Sequence, residues 1–417
     1  MSTRTVQIWA IPLTFSACGP TATDTAVPVV ETELPYTIVD TDQLDCYSAT
    51  GTMGCPAAGE EFHGQDGQHL RFAPSYDSDG EIVIDEVTGL VWQWEQQDKV
   101  AFSDAEGICD DLELGGITSW RVPSIKEAYS LIQFDGATGQ AAPDSSQIPD
   151  DAVPYIDTAA FDFAYGDASA GERYIDTQFI TTNVYVSTVF ADNAGVEAGV
   201  SCFFGANLAD GRIKCYPTEA AQTFQLRCVA GGDDYGLNDL EDQGDGTIAD
   251  HATGLLWAQA DSGDTMDWGE ALAWCEGLET AGYDDWRLPE AKELQSIVDY
   301  TRSPDTTGSA AIDPMFDATP IVDEVGDENW GWYWTSTTHL DGEVDGENAV
   351  YVAFGEALGA TTGTSSGQDL VMDVHGAGAQ RSDPKTGDPG DYPMMGMGPQ
   401  GDVRRVFNLA RCVRELD

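Results

Sequence analysis

The residues with chemistry to offer are nine cysteines, five histidines, a tryptophan triplet and two aspartate-rich turns. The turns, Asp77-Ser78-Asp79-Gly80 and Asp242-Gln243-Gly244-Asp245-Gly246, carry carboxylates of the kind calcium takes, and Asp77, Asp79, Asp242 and Asp245 are the candidate ligands. Neither turn is an EF-hand loop, because its twelfth position is Thr88 or Thr253 instead of Glu. Asp-Gly ahead of a strand is first of all a turn signal. Trp330, Trp332 and Trp334 alternate at strand period and are expected to share one face, where indoles either stack on sugar rings or fill a core. The spacing alone favours the core. His63, His69, His251, His339 and His375 are scattered, with no HExxH helix and no nucleophile elbow. No CxxC pair or Cys/His cluster has zinc spacing. Catalysis is therefore not expected.

The elements that position these residues occur twice. Residues 88–127 carry T-G-L-V-W, a helical stretch with Cys109, and S-W-R-V-P-S-I-K-E; residues 253–293 carry T-G-L-L-W, a helical stretch with Cys275, and D-W-R-L-P-E-A-K-E. Cys109 and Cys275, Trp120 and Trp286, and Lys126 and Lys292 are each 166 residues apart. Such a period implies two copies of one domain, not a solenoid. Each copy has two short strands (Ile82–Ile84 and Leu90–Trp92; Thr247-Ile248 and Leu255–Trp257) before a first helix. Capping boxes mark the helix starts at Ser103/Glu106, Asp267/Glu270 and Ser124/Glu127. The apolar stripes Ala105, Ile108, Cys109, Leu112 and Ala271, Trp274, Cys275, Leu278 bury the cysteine of each first helix. Strand-and-loop regions follow, including 179–186 and 331–337. Two helices followed by such a region indicate an α+β class. Arg121 and Arg287, each after a core-type Trp at a helix start, are expected to pair with buried carboxylates.

The repeat also organises the cysteines. Cys109 and Cys228 stand where Cys275 and Cys412 stand in the second copy, so the bridges Cys109–Cys228 and Cys275–Cys412 are expected, leaving Cys46–Cys55 and Cys202–Cys215 by proximity. The ninth, Cys18, follows a short apolar run in Phe15-Ser16-Ala17-Cys18-Gly19, which resembles a bacterial lipobox; an ordinary signal peptide that happens to contain a cysteine is the alternative. The resulting organisation is a lipoprotein signal peptide (1–18), a flexible tether (19–40), a Cys-stapled entry segment (41–75), domain one (76–232) and domain two (236–417). Domain two carries a long stretch, 356–402, with no counterpart in domain one. It contains His375, Arg381, Lys385 and the run 393–397, and it reads either as the binding face or as an insertion without function. With the tryptophans, His375 and Arg381 are the ligand-binding candidates.

Asp and Glu number 73 against 18 Lys and Arg, a formal charge of −55. That field excludes nucleic acids and anionic lipid surfaces as partners, leaving membrane contact to a lipid anchor at Cys18.

The ordered motifs G-D-G-T-I-A-D-x-A-T-G-L-L-W (244–257), D-W-R-L-P-x-x-K-E-L (285–294), Y-W-T-S-T (333–337) and R-C-V-R (411–414) resemble the Lcl C-terminal domain family, named after the collagen-like adhesin of Legionella. The first copy is more divergent, with Ser119, Val122 and Phe179-Ile180-Thr181-Thr182 at the matching places. The resemblance implies two tandem C-type-lectin-like domains on a cell-envelope or surface protein, secreted if Cys18 is not acylated. It implies a binding or adhesion role toward an extracellular glycan or protein. The sequence departs from the named member in having no collagen-like region, and its −55 charge argues against a polyanionic glycan. The alternatives are a structural acidic envelope protein, or an enzyme on a formylglycine-generating-like fold.

Overall fold

In each repeat the first strands pair because alternating apolar residues face one core and an Asp- or Gly-containing turn reverses the chain. The computed structural model describes residues 34–139, 145–191, 199–219, 222–342, 344–362, 369–392 and 400–416. Cys18 with its lipobox, and the 393–397 run, lie outside them.

The entry segment forms the hairpin β1 (Cys46–Ser48) and β2 (Gly51–Met53), stapled by Cys46–Cys55. Repeat one contains β3 (Tyr76–Ser78), β4 (Ile82–Asp85), β5 (Val91–Gln93), α1 (Ala105–Asp110) and α2 (Ile125–Ser130). It continues with β6 (Gln178–Phe179), β7 (Cys202–Asn207), β8 (Arg212–Pro217) and β9 (Val229–Ala230). Repeat two contains β10 (Leu240–Asp242), β11 (Thr247–Asp250), β12 (Leu255–Ala258), α3 (Trp268–Glu276), α4 (Ala291–Ser296) and the short α5 (Pro304–Thr307). Its second half holds β13 (Pro320–Val322), β14 (Glu328–Trp330), β15 (Trp332–His339) and β16 (Asn348–Ala353). There follow β17 (Leu358–Thr362), β18 (Asp369–Asp373), β19 (Gln380–Pro384), β20 (Gln400–Asp402) and β21 (Val413–Glu415). The architecture is α+β and rich in sheet.

Each repeat closes its own four-stranded antiparallel sheet, in the order β3-β4-β5-β9 and β10-β11-β12-β21. The long disulfides Cys109–Cys228 and Cys275–Cys412 tie the first helix of each repeat to the end of that sheet. The two repeats then share a six-stranded sheet, in the order β15-β16-β19-β8-β7-β6, joined where β19 meets β8 at Gln380 and Ile213. Pairing one repeat's edge with the other's removes two exposed edges at once.

Two of the three expected capping boxes form, at Asp267 and Ser124, and one more forms at Glu290, where none was expected. Asp267 accepts from the Glu270 amide at 2.8 Å, Ser124 accepts from the Glu127 amide at 3.2 Å, and Glu293 accepts from the Glu290 amide at 3.0 Å. The box expected at Ser103/Glu106 does not form. Phe102–Asp104 makes a 3₁₀ turn instead, which sets Phe102 against Phe203 at 4.8 Å, and α1 begins only at Ala105. The strand expected over 179–186 shrinks to Gln178–Phe179.

Two arginines carry the repeat's closing logic. Arg227 donates to the carbonyls of Gln93, Trp94 and Asp162, and Arg411 donates to those of Ala258, Gln259 and Asp317. Both are fully buried, and both lie over aromatic rings: Phe161 and Phe179, or Phe316 and Tyr333. Buried carbonyls need donors, and one guanidinium serves three of them. Two lysines then cross the interface reciprocally. Lys126 on α2 donates to the carbonyl of Ser296 on α4, and Lys292 on α4 donates to that of Ser130 on α2. The repeats are thus related by a local pseudo-twofold, with the largest core spread over both.

Residues 34–40, expected to end the tether, are packed instead: Tyr36, Ile38 and Val39 are buried. Apolar side chains in a Thr/Pro-rich stretch found a core to enter. Gln43 covers the outer edge of β15, where its amide accepts from Thr338 N at 2.8 Å and donates to Thr338 O at 2.9 Å, in place of a neighbouring strand.

Candidate ligand-binding site at the seam between the repeats

The pairing of Gln380 with Ile213 brings the next residue on β19, Arg381, alongside Arg212 of repeat one. Around this seam four cations gather out of 18 in the chain: Arg212, Lys214, Arg381 and Arg404. Arg381 donates through Nε and Nη2 to Asp402, whose other oxygen meets His375 Nε2 at 2.7 Å. Burial would raise the Asp402 carboxyl, but Arg381 and His375 outweigh it and hold it well below the usual range. Burial, reinforced by Arg381, lowers His375 to about 4, so its ring is neutral at pH 7. On the repeat-one side Arg212 and Lys214 each reach Asp210 at 3.2 Å, and Arg212 also reaches Asp341. Burial lowers Lys214 to about 8 despite Asp210. Buried atoms at this seam without a hydrogen-bond partner include Arg381 Nη1, Arg212 Nε, Asp210 Oδ1, Asp383 Oδ1 and Gln380 Oε1. Lys214 and Arg404 keep 17% and 28% of their side chains exposed, which makes them its accessible rim. Such a cluster can hold a polar or carboxylate-bearing group.

The structure therefore brings His375 and Arg381 together on one carboxylate, but buries both (4% and 8% exposed). They lie inside the seam and hold its Asp402 in place. The stretch 356–402 is no single loop. It contains β19, the counterpart of β8, and adds a three-stranded sheet in the order β18-β17-β20. Its root touches repeat one, where Tyr185 donates to Asp373 at 3.0 Å.

The tryptophans depart from the expected shared face. Trp332 and Trp334 are in the core of repeat two, at 1% and 0% exposure. Trp330 lies in a separate hairpin, opposite Pro320, and packs half-buried against the other core. Gly331 separates the two strands, so the alternation breaks there. Trp332 and Trp334 are thereby closed to a sugar ring, while Trp330 keeps part of its ring exposed.

The aspartate turns do not converge either. Asp79 accepts from the Glu81 and Ile82 amides, Asp242 accepts from the Gly244 amide, Asp245 accepts from the Thr247 hydroxyl, and Asp77 sits in β3 opposite Ile84. The carboxylates of Asp79, Asp242 and Asp245 are used to form their own turns. Arg121 and Arg287 do meet acidic partners: Arg121 donates to Glu127 and Arg287 donates to Glu293 through both amino groups.

A family model for the Lcl C-terminal domain matches residues 81–230 and again 246–372. The chain belongs to the Lcl C-terminal domain family. No curated protein and no solved structure matched it.

Both Lcl C-terminal domains press on a site that no motif announced. Among the described residues one group brings three metal-type ligands close together: Asp40, Asp66 and Glu290, with oxygens within 4.8 Å of one another. Asp66 accepts from Thr41 and Thr337, and Glu290 accepts from the Thr41 amide at 3.0 Å. Burial, then the Asp40 charge, raises Asp66 to about 7; burial and Asp66 raise Glu290 well above its usual value. Lys292 is their cation, and its amine donates to the Asp40 and Ser130 carbonyls. Two hydroxyls and the backbone amides of Thr41, Asp42 and Arg71 already serve these oxygens, so the group reads as the clasp of the entry segment. Only the adjacent pair Asp40-Thr41 stood in sequence, and it carries no signal for a partner 249 residues away.

Proposed function

We propose that this chain is a surface-anchored bacterial lipoprotein, acylated at Cys18, that binds an extracellular glycan or protein ligand. Each Lcl C-terminal domain is read as a C-type-lectin-like unit, and the protein as a non-enzymatic adhesion module. The observation that carries this reading is the family match to both repeats. The seam supports it further, since it gathers cations in a chain of charge −55. The bound group would be neutral or carry an isolated carboxylate, because the surrounding acidity repels a polyanion. Calcium enters this reading only as a condition of the assay. The test is a glycan array probed with the mature chain, in calcium and in chelator, beside a Lys214→Ala/Arg404→Ala variant. Specific binding lost in the variant supports the reading. A blank array in both conditions favours a structural acidic envelope protein, which the −55 charge also suits. Release of a Cys18→Ser protein from the membrane fraction tests the anchor separately.

A further inference from the structure

A small cavity lies on the pseudo-twofold, where α2 meets α4. Tyr36 of the packed stretch 34–40 lines it, with Lys126 and Tyr129 of repeat one, Lys292 and Gln295 of repeat two, and Tyr235 of the joint between repeats. It has room for about one water-sized occupant. The hydroxyls of Tyr36 and Tyr129 have no hydrogen-bond partner, although the two residues are only 5% and 1% exposed. Lys126 places its three N–H groups on the Gly236 carbonyl, the Asn238 side chain and the Ser296 carbonyl. Lys292 places two, on the Asp40 and Ser130 carbonyls, and keeps one. Two buried hydroxyl donors and one ammonium proton therefore lack an acceptor, and buried donors are satisfied in native proteins.

We propose that this cavity binds a single small hydrogen-bond acceptor, a water molecule or a halide ion, which joins the stretch 34–40 to both repeats. A water oxygen accepts the two hydroxyls; a halide accepts these and the Lys292 proton as well. The carboxylates acting on the lysines through space, Asp250 toward Lys126 and Glu290 toward Lys292, oppose a halide and favour water. The occupant completes an interface that side chains alone leave unsatisfied.

A high-resolution crystal structure of the mature chain, grown in chloride and then soaked in bromide, tests this. One occupant within hydrogen-bond reach of both Tyr hydroxyls is expected, and an anomalous bromide peak there identifies a halide, while its absence identifies water. An empty cavity, or the two hydroxyls bonded to protein groups instead, overturns the proposal. Tyr36→Phe, Tyr129→Phe and the double variant give a second reading in solution. If one acceptor serves both hydroxyls, the fall in unfolding midpoint of the double variant differs from the sum of the single ones. Strict additivity, with the occupant still present in the double variant, also counts against it.

Discussion

The two repeats share a frame and differ at one edge. Both close a four-stranded sheet with a long disulfide, both serve three carbonyls with one buried arginine, and both send a lysine across the pseudo-twofold. Repeat one joins β7 to β8 by a tight hairpin. There Gly211, at φ +63°, lies so close to Tyr155 that an added Cβ would be 2.5 Å from its ring. Repeat two separates the equivalent strands β16 and β19 by β17 and β18, then adds β20 beyond them. Where the duplicated chain satisfies its own backbone it is held constant, and where it forms an edge it is free to grow. The charges divide the same way. Arg287 and Glu293 are both buried, whereas Arg121 is about a third exposed over a buried Glu127.

The largest test of this equivalence is the disulfides. Removing Cys109–Cys228 or Cys275–Cys412 opens loops of similar length, with separations of 119 and 137 residues. Each loss is expected to cost on the order of 4–5 kcal/mol, seen as a lower urea midpoint. If only one of the two mattered, the frames would not be equivalent. Arg227→Met and Arg411→Met come next, each leaving three buried carbonyls without donors, at about 3 kcal/mol in denaturant unfolding. A large effect in one repeat and none in the other would break the comparison.

The clasp at Asp66 gives a smaller effect, graded with pH. Its folded pKa is raised to about 7, above its ordinary value, so the folded state binds the proton more tightly. Its contribution to stability is full below the ordinary carboxyl pKa and is lost as pH rises through about 7. Between pH 5 and 8 the unfolding midpoint of the native chain is expected to fall, and that of Asp66→Asn to fall less; parallel curves would refute the assignment. Smallest is Lys385→Met. Lys385 is buried with its ammonium 4.0 Å over Trp268, bonded to the Tyr47 carbonyl and the Thr338 hydroxyl, and burial lowers its pKa well below the usual value. Removing a buried cation that burial drives toward neutrality is expected to shift stability by less than about 1 kcal/mol, in either direction, in thermal melts.

Much of the frame was legible because its signals are local or duplicated. Cys109 and Cys275 sit at matching places in an amphipathic stripe, and their partners precede matching final strands. Arg287 and Glu293 are close enough in sequence to meet at a helix start. The tryptophan triplet misled because Gly331 ends one strand and begins another, a break that period alone does not show. His375 and Arg381 were found as unusual residues in an unusual stretch, but not as buried partners of Asp402, since that depends on β19 entering the shared sheet.

By itself the sequence determined the duplication, the four disulfide pairs, the two capping boxes at Asp267 and Ser124, and the α+β class. Each of these is written in spacing along one stretch or in agreement between two. Only the tertiary structure decided that the repeats fuse edge to edge through β8 and β19, and that Asp40, Asp66 and Glu290 meet. It also decided that two tyrosines and two lysines line a cavity on the axis. Those contacts join residues far apart in the chain, such as Asp66 and Thr337 across 271 positions. No periodic pattern links such residues, and only the burial of two cores against each other fixes their distance.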